Sequence, residues 1–308
     1  MKAVFIEKFG GPEVLQYGDL PDPVAGAGEV LVDVVAASVN AADWKVRAGE
    51  YPDAKAKFPL IIGRDFSGTV ASAGAGIDDL MVGDAVFGVL EGGREGTYCE
   101  KLAIKAAIIA RKPDALSHVD AAALALTGLT AIRTLEDTLK LQRGEKIFIT
   151  GGAGGVAGFA IQLARHLGAR VVTTTSAANL DYVRRLGADD VIDYTAQDFT
   201  RAVSGCDAVF DTVGGEVGQK SFAVLKPGGR AAFIASGAQA PKPARNDVTA
   251  LRPAVGRARA PLERVAQLVT AGAVQPPAIK LYPLSQAVEA HRLSESRHFR
   301  GKLVLSVK

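Results

Sequence analysis

Between Lys146-Ile-Phe-Ile149, a strand-like apolar run, and Phe159-Ala-Ile-Gln-Leu-Ala164, a helical one, lies Thr150-Gly-Gly-Ala-Gly-Gly-Val-Ala-Gly158, a turn almost without side chains. Gly152, Gly154 and Ala157 fit G-x-G-x-x-G/A, in which the first position permits a tight turn, the second lets backbone approach a phosphate, and the third lets helix pack on strand. An apolar helix through Phe159, Ile161, Leu163 and Leu167 stops near Gly168, and a second strand, Arg170-Val-Val-Thr-Thr-Thr175, follows at once. The whole reads as a β-α-β unit of about 30 residues. The backbone of Gly152, Ala153, Gly154, Gly155 and Val156 is then placed to hold a pyrophosphate at a helix N-terminus, where unpaired N–H groups and the helix dipole favour negative charge. A glycine turn in some other βα unit is the alternative. A P-loop fits less well, because no Lys-Ser/Thr pair follows the glycines.

Around this unit the texture of the chain changes twice. Residues 2 to 110 read as short strands separated by Gly, Pro and Asp, at Ala3–Glu7, Glu29–Val39, Ser67–Ala73, Asp84–Val89 and Glu100–Ile104, a spacing that suggests an antiparallel barrel or sandwich. From about Val119 come alanine-rich helical stretches, Asp120–Leu126 and Thr130–Leu139. Beyond the glycine turn, strand candidates at 170–175, 190–192, 207–210 and 231–235 alternate with helices, as in a doubly wound parallel sheet. Leu262–Ala271 and Leu284–Leu293 read as helices, and Lys302-Leu-Val-Leu-Ser-Val307 as a strand that returns to the first domain. The expected division is a catalytic domain of residues 1–118 and 270–308 and a cofactor domain of 119–269.

At 308 residues the chain is long enough for two cores. A net charge of +3 with interleaved signs gives no nucleic-acid-binding field. The first residues, with Glu7, lack a leader-like apolar core, and no apolar run is long enough to span a membrane, so a cytoplasmic protein is expected. Cys99 and Cys206 lie far apart with no C-x-x-C spacing and read as buried thiols. One stretch, Lys242 to Arg264, is basic: six cations stand against Asp247 and Glu263. It is either a solvated loop or a recognition element for an acidic substrate.

Many short motifs occur in order along the whole chain: Phe9-Gly-Gly-Pro-Glu-Val-Leu15, Gly28-Glu-Val-Leu-Val32, Val39-Asn-Ala-Ala-Asp43, Gly63-Arg-Asp-Phe-Ser-Gly68, Leu126-Thr-Gly-Leu-Thr130, Phe210-Asp-Thr-Val-Gly-Gly215, Leu225-Lys-Pro-Gly-Gly229 and Arg300-Gly-Lys302. In these the chain resembles the zinc-free quinone oxidoreductase branch of the medium-chain dehydrogenase/reductase superfamily. The resemblance implies an α/β fold, with a GroES-like β-barrel catalytic domain and a Rossmann cofactor domain. It implies reduction of a small molecule, a quinone or related conjugated carbonyl, by hydride transfer in the interdomain cleft, and a homodimer. An enoyl or 2-alkenal reductase is the near alternative, and a non-catalytic NADPH-binding sensor the different class. The cofactor turn departs from the branch by carrying Ala157 with glycine only at 158.

Selection of NAD needs a carboxylate about 20 residues after the turn to accept from the ribose hydroxyls. Here the second strand runs into Ser176-Ala-Ala-Asn179, and the next acid, Asp181, lies in the following helix. Hydroxyl and amide donors suit a 2′-phosphate, so NADPH is expected, and Ser176, Asn179 and Tyr194 match the branch's positions for that phosphate and the adenine. The alternative is that Ser176 and Asn179 cap a helix. By resemblance, zinc members hold their metal where this chain has Asn40 and Arg64, and His118, His166, His291 and His298 show no ligand spacing, so no metal is expected. A conjugated carbonyl needs none, since it delocalises the hydride's charge onto an oxygen that one or two donors can stabilise. The resemblance puts Asn40 and Thr127 near the nicotinamide and substrate oxygen, and His298, Phe299 and Arg300 against the nicotinamide half. Trp44 is a candidate stacking wall for a flat substrate and Arg64 a candidate substrate contact; each has a structural alternative. Tyr51 and Lys55 mimic the Tyr-x-x-x-Lys of short-chain dehydrogenases, but they precede the glycine turn and enclose a proline.

Overall fold

The computed structural model describes residues 1–50, 57–237 and 239–307. Tyr51 and Lys55 lie outside them. In chain order the strands are β1 (Lys2–Ile6), β2 (Gln16–Asp19), β3 (Glu29–Val39), β4 (Leu60–Ile61), β5 (Asp65–Ala73), β6 (Ala85–Val89), β7 (Lys101–Lys105), β8 (Ile109–Arg111), β9 (Lys146–Ile149), β10 (Arg170–Thr175), β11 (Asp190–Asp193), β12 (Cys206–Asp211), β13 (Leu225–Phe233), β14 (Thr249–Leu251), β15 (Ile279–Pro283) and β16 (Lys302–Ser306). The helices that bear on function are α1 (Ala41–Arg47), α2 (His118–Ile132), α3 (Gly155–His166), α4 (Arg259–Thr270) and α5 (Ala287–Ser296).

Two compact units divide the chain. The first comprises residues 1–126, 256–270 and 276–308, the second 127–255 and 271–275. The break at 126 falls inside α2, whose alanines pack without a residue that would stop a helix; the texture change near 118 marks the start of that helix. After Ile132 the helix widens into a π-helical turn, Arg133–Thr138, so the two stretches read from sequence form one continuous helical segment.

The first unit holds a three-stranded sheet, β2-β1-β4, and a seven-stranded one. In the latter β3 pairs antiparallel with β5 over residues 30–37, with β7 over 29–33 and with β16 over 36–39, and β5 continues through β6 to β8. Eleven residues let β3 serve three partners, and its alternating Val30, Val32 and Val34 enter a core with Phe66, Val86 and Ile104. The short strands β2, β4 and β8 escaped the sequence pattern, since runs of two to four residues carry too little alternation.

The second unit is a parallel sheet in the order β11-β10-β9-β12-β13-β14. Counted from β9, this is the 3-2-1-4-5-6 order of dinucleotide-binding sheets, with β9 central and the chain reversing direction beside it. Central strands buried on both faces read as continuous apolar runs: Ile147, Phe148 and Ile149 are fully buried, as are Ala208, Val209 and Phe210. Among the described residues no helix is long and apolar enough to cross a membrane.

Candidate functional site

The glycine turn sits at the C-terminal end of β9. Gly151 has φ +70°, a left-handed conformation that favours glycine, and Gly154 caps α3 in an extended conformation. At Gly152 the demand is steric: a Cβ would stand 2.5 Å from Thr173 Oγ1, and at Gly154 one would stand 3.3 Å from Gly151 O. The turn is thus pressed against β10, which holds it. Gly152 N donates to Thr174 O at 2.8 Å and Gly151 N to Thr174 Oγ1 at 3.1 Å, while Thr173 Oγ1 donates to Ile149 O. All three threonines, 173 to 175, are buried. They back the turn, and the first exposed polar groups come after them.

Ala157 is buried, and the glycine after it makes the close approach: a Cβ at Gly158 would meet Leu186 Cδ1 at 3.2 Å. The pairing of alanine and glycine at 157 and 158 therefore follows from helix packing. The first amides of α3 have no carbonyl one turn back, so together with the dipole of this twelve-residue helix they present positive potential at the turn.

Ser176 and Asn179, both singled out from sequence, lie side by side. Asn179 Nδ2 donates to Ser176 Oγ at 3.1 Å, and Asn179 N to Ser176 O at 2.9 Å. Tyr194, largely exposed, is tied to the same strand end by its N–H donating to Thr175 O at 3.1 Å. Hydroxyl, amide and ring thus gather at the C-terminal ends of β10 and β11. Across β9, Asp211 was not singled out from sequence. Its carboxylate accepts from Thr150 Oγ1 at 2.7 Å and from Gly214 N at 2.9 Å, locking the 211–215 turn to the end of β9, and burial pushes its carboxyl upward. The apolar strand ending in Asp-Thr-Val-Gly-Gly was the available signal.

Thr127 is buried in α2 and belongs to the second unit; Asn40, Trp44 and Arg64 belong to the first. Asn40 begins α1, with Asn40 N donating to Asp43 Oδ2 at 2.8 Å. The same Asp43 oxygen accepts from Tyr98 Oη at 2.8 Å. Trp44 lies between two cations, with Lys45 Nζ 5.5 Å and the Arg297 guanidinium 5.9 Å from its ring. That contact joins α1 to the segment holding His298, Phe299 and Arg300. There Arg297 ends α5 at φ +57°, His298 and Arg300 are exposed, and Phe299 packs on the core beneath.

Arg64 donates through Nε to Glu95 Oε1 at 2.5 Å, and Glu95 Oε2 accepts from Gly63 N at 3.1 Å. Asp43 Oδ1, which has no hydrogen-bond partner among the described residues, is 3.8 Å from Arg64 Nε. Burial pushes both carboxyls above the usual range; the Arg64 guanidinium opposes the shift at each, while the Asp65 charge adds to it at Asp43 and the Asp43 charge adds to it at Glu95. Beside Arg64, Asp65 is fully buried and faces Ser38 and Asn40. Glu95, Asp43 and Lys302 were all missed as site residues.

The basic stretch at 242–264 is mostly engaged with the protein itself. Arg245 pairs with Asp247, Arg252 donates to Phe233 O, and Arg259 donates to Ile109 O and Ala106 O. Arg257 donates to Leu90 O at 2.9 Å in the neighbourhood of Arg64, Asp65 and Glu95. The residues at hand do not fit a metal ion. Position 64 carries a donor-only guanidinium, the Cys99 thiol is buried with its pKa pushed up to about 12, and among the described residues no three His, Cys, Asp or Glu side chains converge.

The family described as alcohol dehydrogenase GroES-like domain matches residues 26–114, and zinc-binding dehydrogenase matches residues 186–305. The NADPH-dependent alkenal/one oxidoreductase, chloroplastic, of Arabidopsis thaliana is 32% identical over 99% of this chain and 79% of its own length. Among solved structures, the quinone oxidoreductase from Coxiella burnetii superposes with a TM-score of 0.91 at 33% identity, covering 100% of this chain and 99% of that one. The Escherichia coli quinone oxidoreductase complexed with NADPH gives a TM-score of 0.90 at 26% identity, covering 99% of this chain and 100% of that one. Two domains in this order, a 3-2-1-4-5-6 sheet and these likenesses over full length identify the chain as a member of the quinone oxidoreductase branch of the medium-chain dehydrogenase/reductase superfamily.

Proposed function

We propose that this chain is an NADPH-dependent oxidoreductase that reduces a quinone or a related conjugated carbonyl. The observation that carries the cofactor choice is the group at the ends of β10 and β11. Ser176, Asn179 and Tyr194 supply a hydroxyl, an amide and a ring where an NAD-selecting site needs a carboxylate, and they adjoin a glycine turn packed so closely on Thr173 that position 152 has no room for a Cβ. The relatives named for NADPH and for quinone or alkenal reduction support the same reading.

NADPH, when bound, supplies the hydride. The chain's part is to bind and orient. Backbone amides of Gly152 to Val156 hold the pyrophosphate at the start of α3; Ser176 and Asn179 hold the 2′-phosphate, with Tyr194 against the adenine. Asn40 and Thr127 serve the nicotinamide and the substrate oxygen, His298 to Arg300 the nicotinamide half, and Trp44 and Arg64 the substrate. Since addition of hydride to a conjugated carbonyl leaves its charge on oxygen, fixed donors and a proton complete the reduction. Reduction of a 2-alkenal or enoyl thioester is the second reading, favoured by the alkenal/one oxidoreductase relative and by Arg257 beside Arg64.

Loss of nicotinamide absorbance, followed with 1,4-naphthoquinone, trans-2-hexenal and an enoyl thioester in parallel, tests both. Turnover of the quinone supports the first reading, and turnover of the alkenal or thioester alone supports the second. Tight NADPH binding with no turnover of any would replace both with a sensor. The expected homodimer is checked by sedimentation velocity on the same sample.

A further inference from the structure

Lys302 heads β16, a strand whose next three residues, Leu303 to Leu305, are fully buried. Its own side chain is only 4% exposed. Nζ donates to Asn40 Oδ1 at 2.7 Å and to Val39 O at 2.9 Å. On the other side of the Asn40 carboxamide, Nδ2 donates to Asp65 Oδ1 at 2.8 Å and to Ser38 O at 3.3 Å. Asp65 is fully buried, accepts from Ser38 Oγ at 2.8 Å and from Leu126 N at 3.3 Å, and completes a line from ammonium through amide to carboxylate.

A carboxamide can turn by half a rotation about its last bond with little change of shape. Here it cannot. An ammonium only donates and a carboxylate only accepts, so the reversed amide would set N–H against N–H and oxygen against oxygen inside a desolvated site. Burying the two charges is costly, and two apolar residues would fill the same space at no such cost.

We propose that Lys302 is a positioning residue for the reductase, fixing the Asn40 carboxamide so that both its N–H groups are committed inward, to Asp65 and Ser38, and Oδ1 is held toward the ammonium. This rests on the reading of Asn40 as a residue of the reacting site. It also limits that role: with both N–H groups of Asn40 donating inward, the donors that receive the developing oxyanion are other groups. Burial lowers the Lys302 pKa, while Asp65 and Asp43 raise it; two acceptors within 2.9 Å hold the proton on nitrogen.

The test uses Lys302→Met, and Lys302→Met combined with Asp65→Asn, because the single variant strands a buried carboxylate and loses stability. In the double variant both charges are gone and the thermal midpoint recovers. Single-turnover oxidation of NADPH by the substrate found active is expected to stay slowed about tenfold or more in the double variant, with KM and NADPH affinity within about threefold. A double variant that regains the wild-type rate with its stability would make Lys302 merely structural and overturn the proposal. A second readout needs no turnover. The Asn40 side-chain amide signals in a ¹⁵N spectrum, assigned by their loss in Asn40→Asp, are expected to be protected from exchange in the wild type and to lose protection in Lys302→Met/Asp65→Asn. Loss of protection in a protein that turns over none of the substrates would keep the amide lock and reject the reductase reading; unchanged protection would overturn the lock itself.

Discussion

The two units place their polar groups by opposite means. In the second, the cradle is made of backbone: Gly151 and Gly152 are held by the hydroxyl and main-chain carbonyl of Thr174 on β10, and a buried carboxylate, Asp211, accepts from a hydroxyl and an amide. In the first, the same task falls to buried charges: Asp43, Asp65, Glu95, Arg64 and Lys302 meet around the start of α1. A site that receives a phosphate gains from neutral, inward-tied donors, since any fixed anion would repel the ligand. A site that must hold side chains in one orientation gains from charges whose hydrogen bonding is one-directional.

The largest effect expected of this difference is on stability. Asp65→Ala leaves the buried Lys302 ammonium without the carboxylate it faces across the Asn40 amide, and stripping a buried charge of its compensating charge costs about 3–5 kcal/mol. Thr150→Val, which removes a neutral donor from Asp211 in the second unit, is expected to cost about 1–3 kcal/mol. Thermal unfolding of the two variants side by side checks the ranking. Equal losses would mean that the first unit's charges are no more tightly coupled than the second unit's neutral bonds.

That asymmetry also decides what could be read from sequence. The cradle is written in some 30 consecutive residues, so glycine spacing, strand and helix periods and the missing acid all fall in one window. The charged network spans Asn40 to Lys302, 262 positions apart, and is made of residue types that ordinarily stay at the surface. Asn40 and Arg64 were found only through resemblance; their partners Glu95 and Lys302 carry no local pattern, although a lysine directly before the apolar Leu303-Val-Leu305 was a signal that it might be buried by its strand. Adjacency in the chain is no guide here either, since Arg64 binds Glu95 while its neighbour Asp65 turns to Ser38 and Asn40.

A smaller effect separates the units by pH. His291, fully buried on α5, accepts from Arg47 Nη1 through Nδ1 at 3.2 Å, which puts its proton on Nε2, an atom with no partner among the described residues. Burial, with the Arg47 charge adding to it, lowers its pKa from 6.5 to about 3. The folded pKa lies below the unfolded one, so its contribution is complete above about pH 6.5 and is lost as pH falls toward 3. Between pH 7 and pH 5 this amounts to about 2 kcal/mol. The raised carboxyls of Asp43 and Glu95 act in the other direction, so the quantity to compare is wild type against His291→Gln, which keeps an acceptor for Arg47 but does not titrate. Denaturant midpoints at pH 7 and pH 5 should diverge between the two proteins, and parallel losses would show that His291 is not the titrating group.

The smallest effect tests whether the neutral cradle is neutral for a reason. Ser176→Asp places a carboxylate beside Asn179, at the strand end where the 2′-phosphate is proposed to sit, and leaves the glycine turn untouched. Repulsion between a surface carboxylate and a phosphate, screened by water and salt, should weaken NADPH by about tenfold, or about 1.4 kcal/mol. NADH, which offers hydroxyls there, should bind as well as before or better. The same titrations at low and high salt distinguish charge from shape, because repulsion fades as the Debye length shortens, whereas a displaced loop weakens both nucleotides alike at either salt. Unchanged NADPH affinity would remove Ser176 from the phosphate site, and with it the argument that the second unit avoids charge for the sake of its ligand.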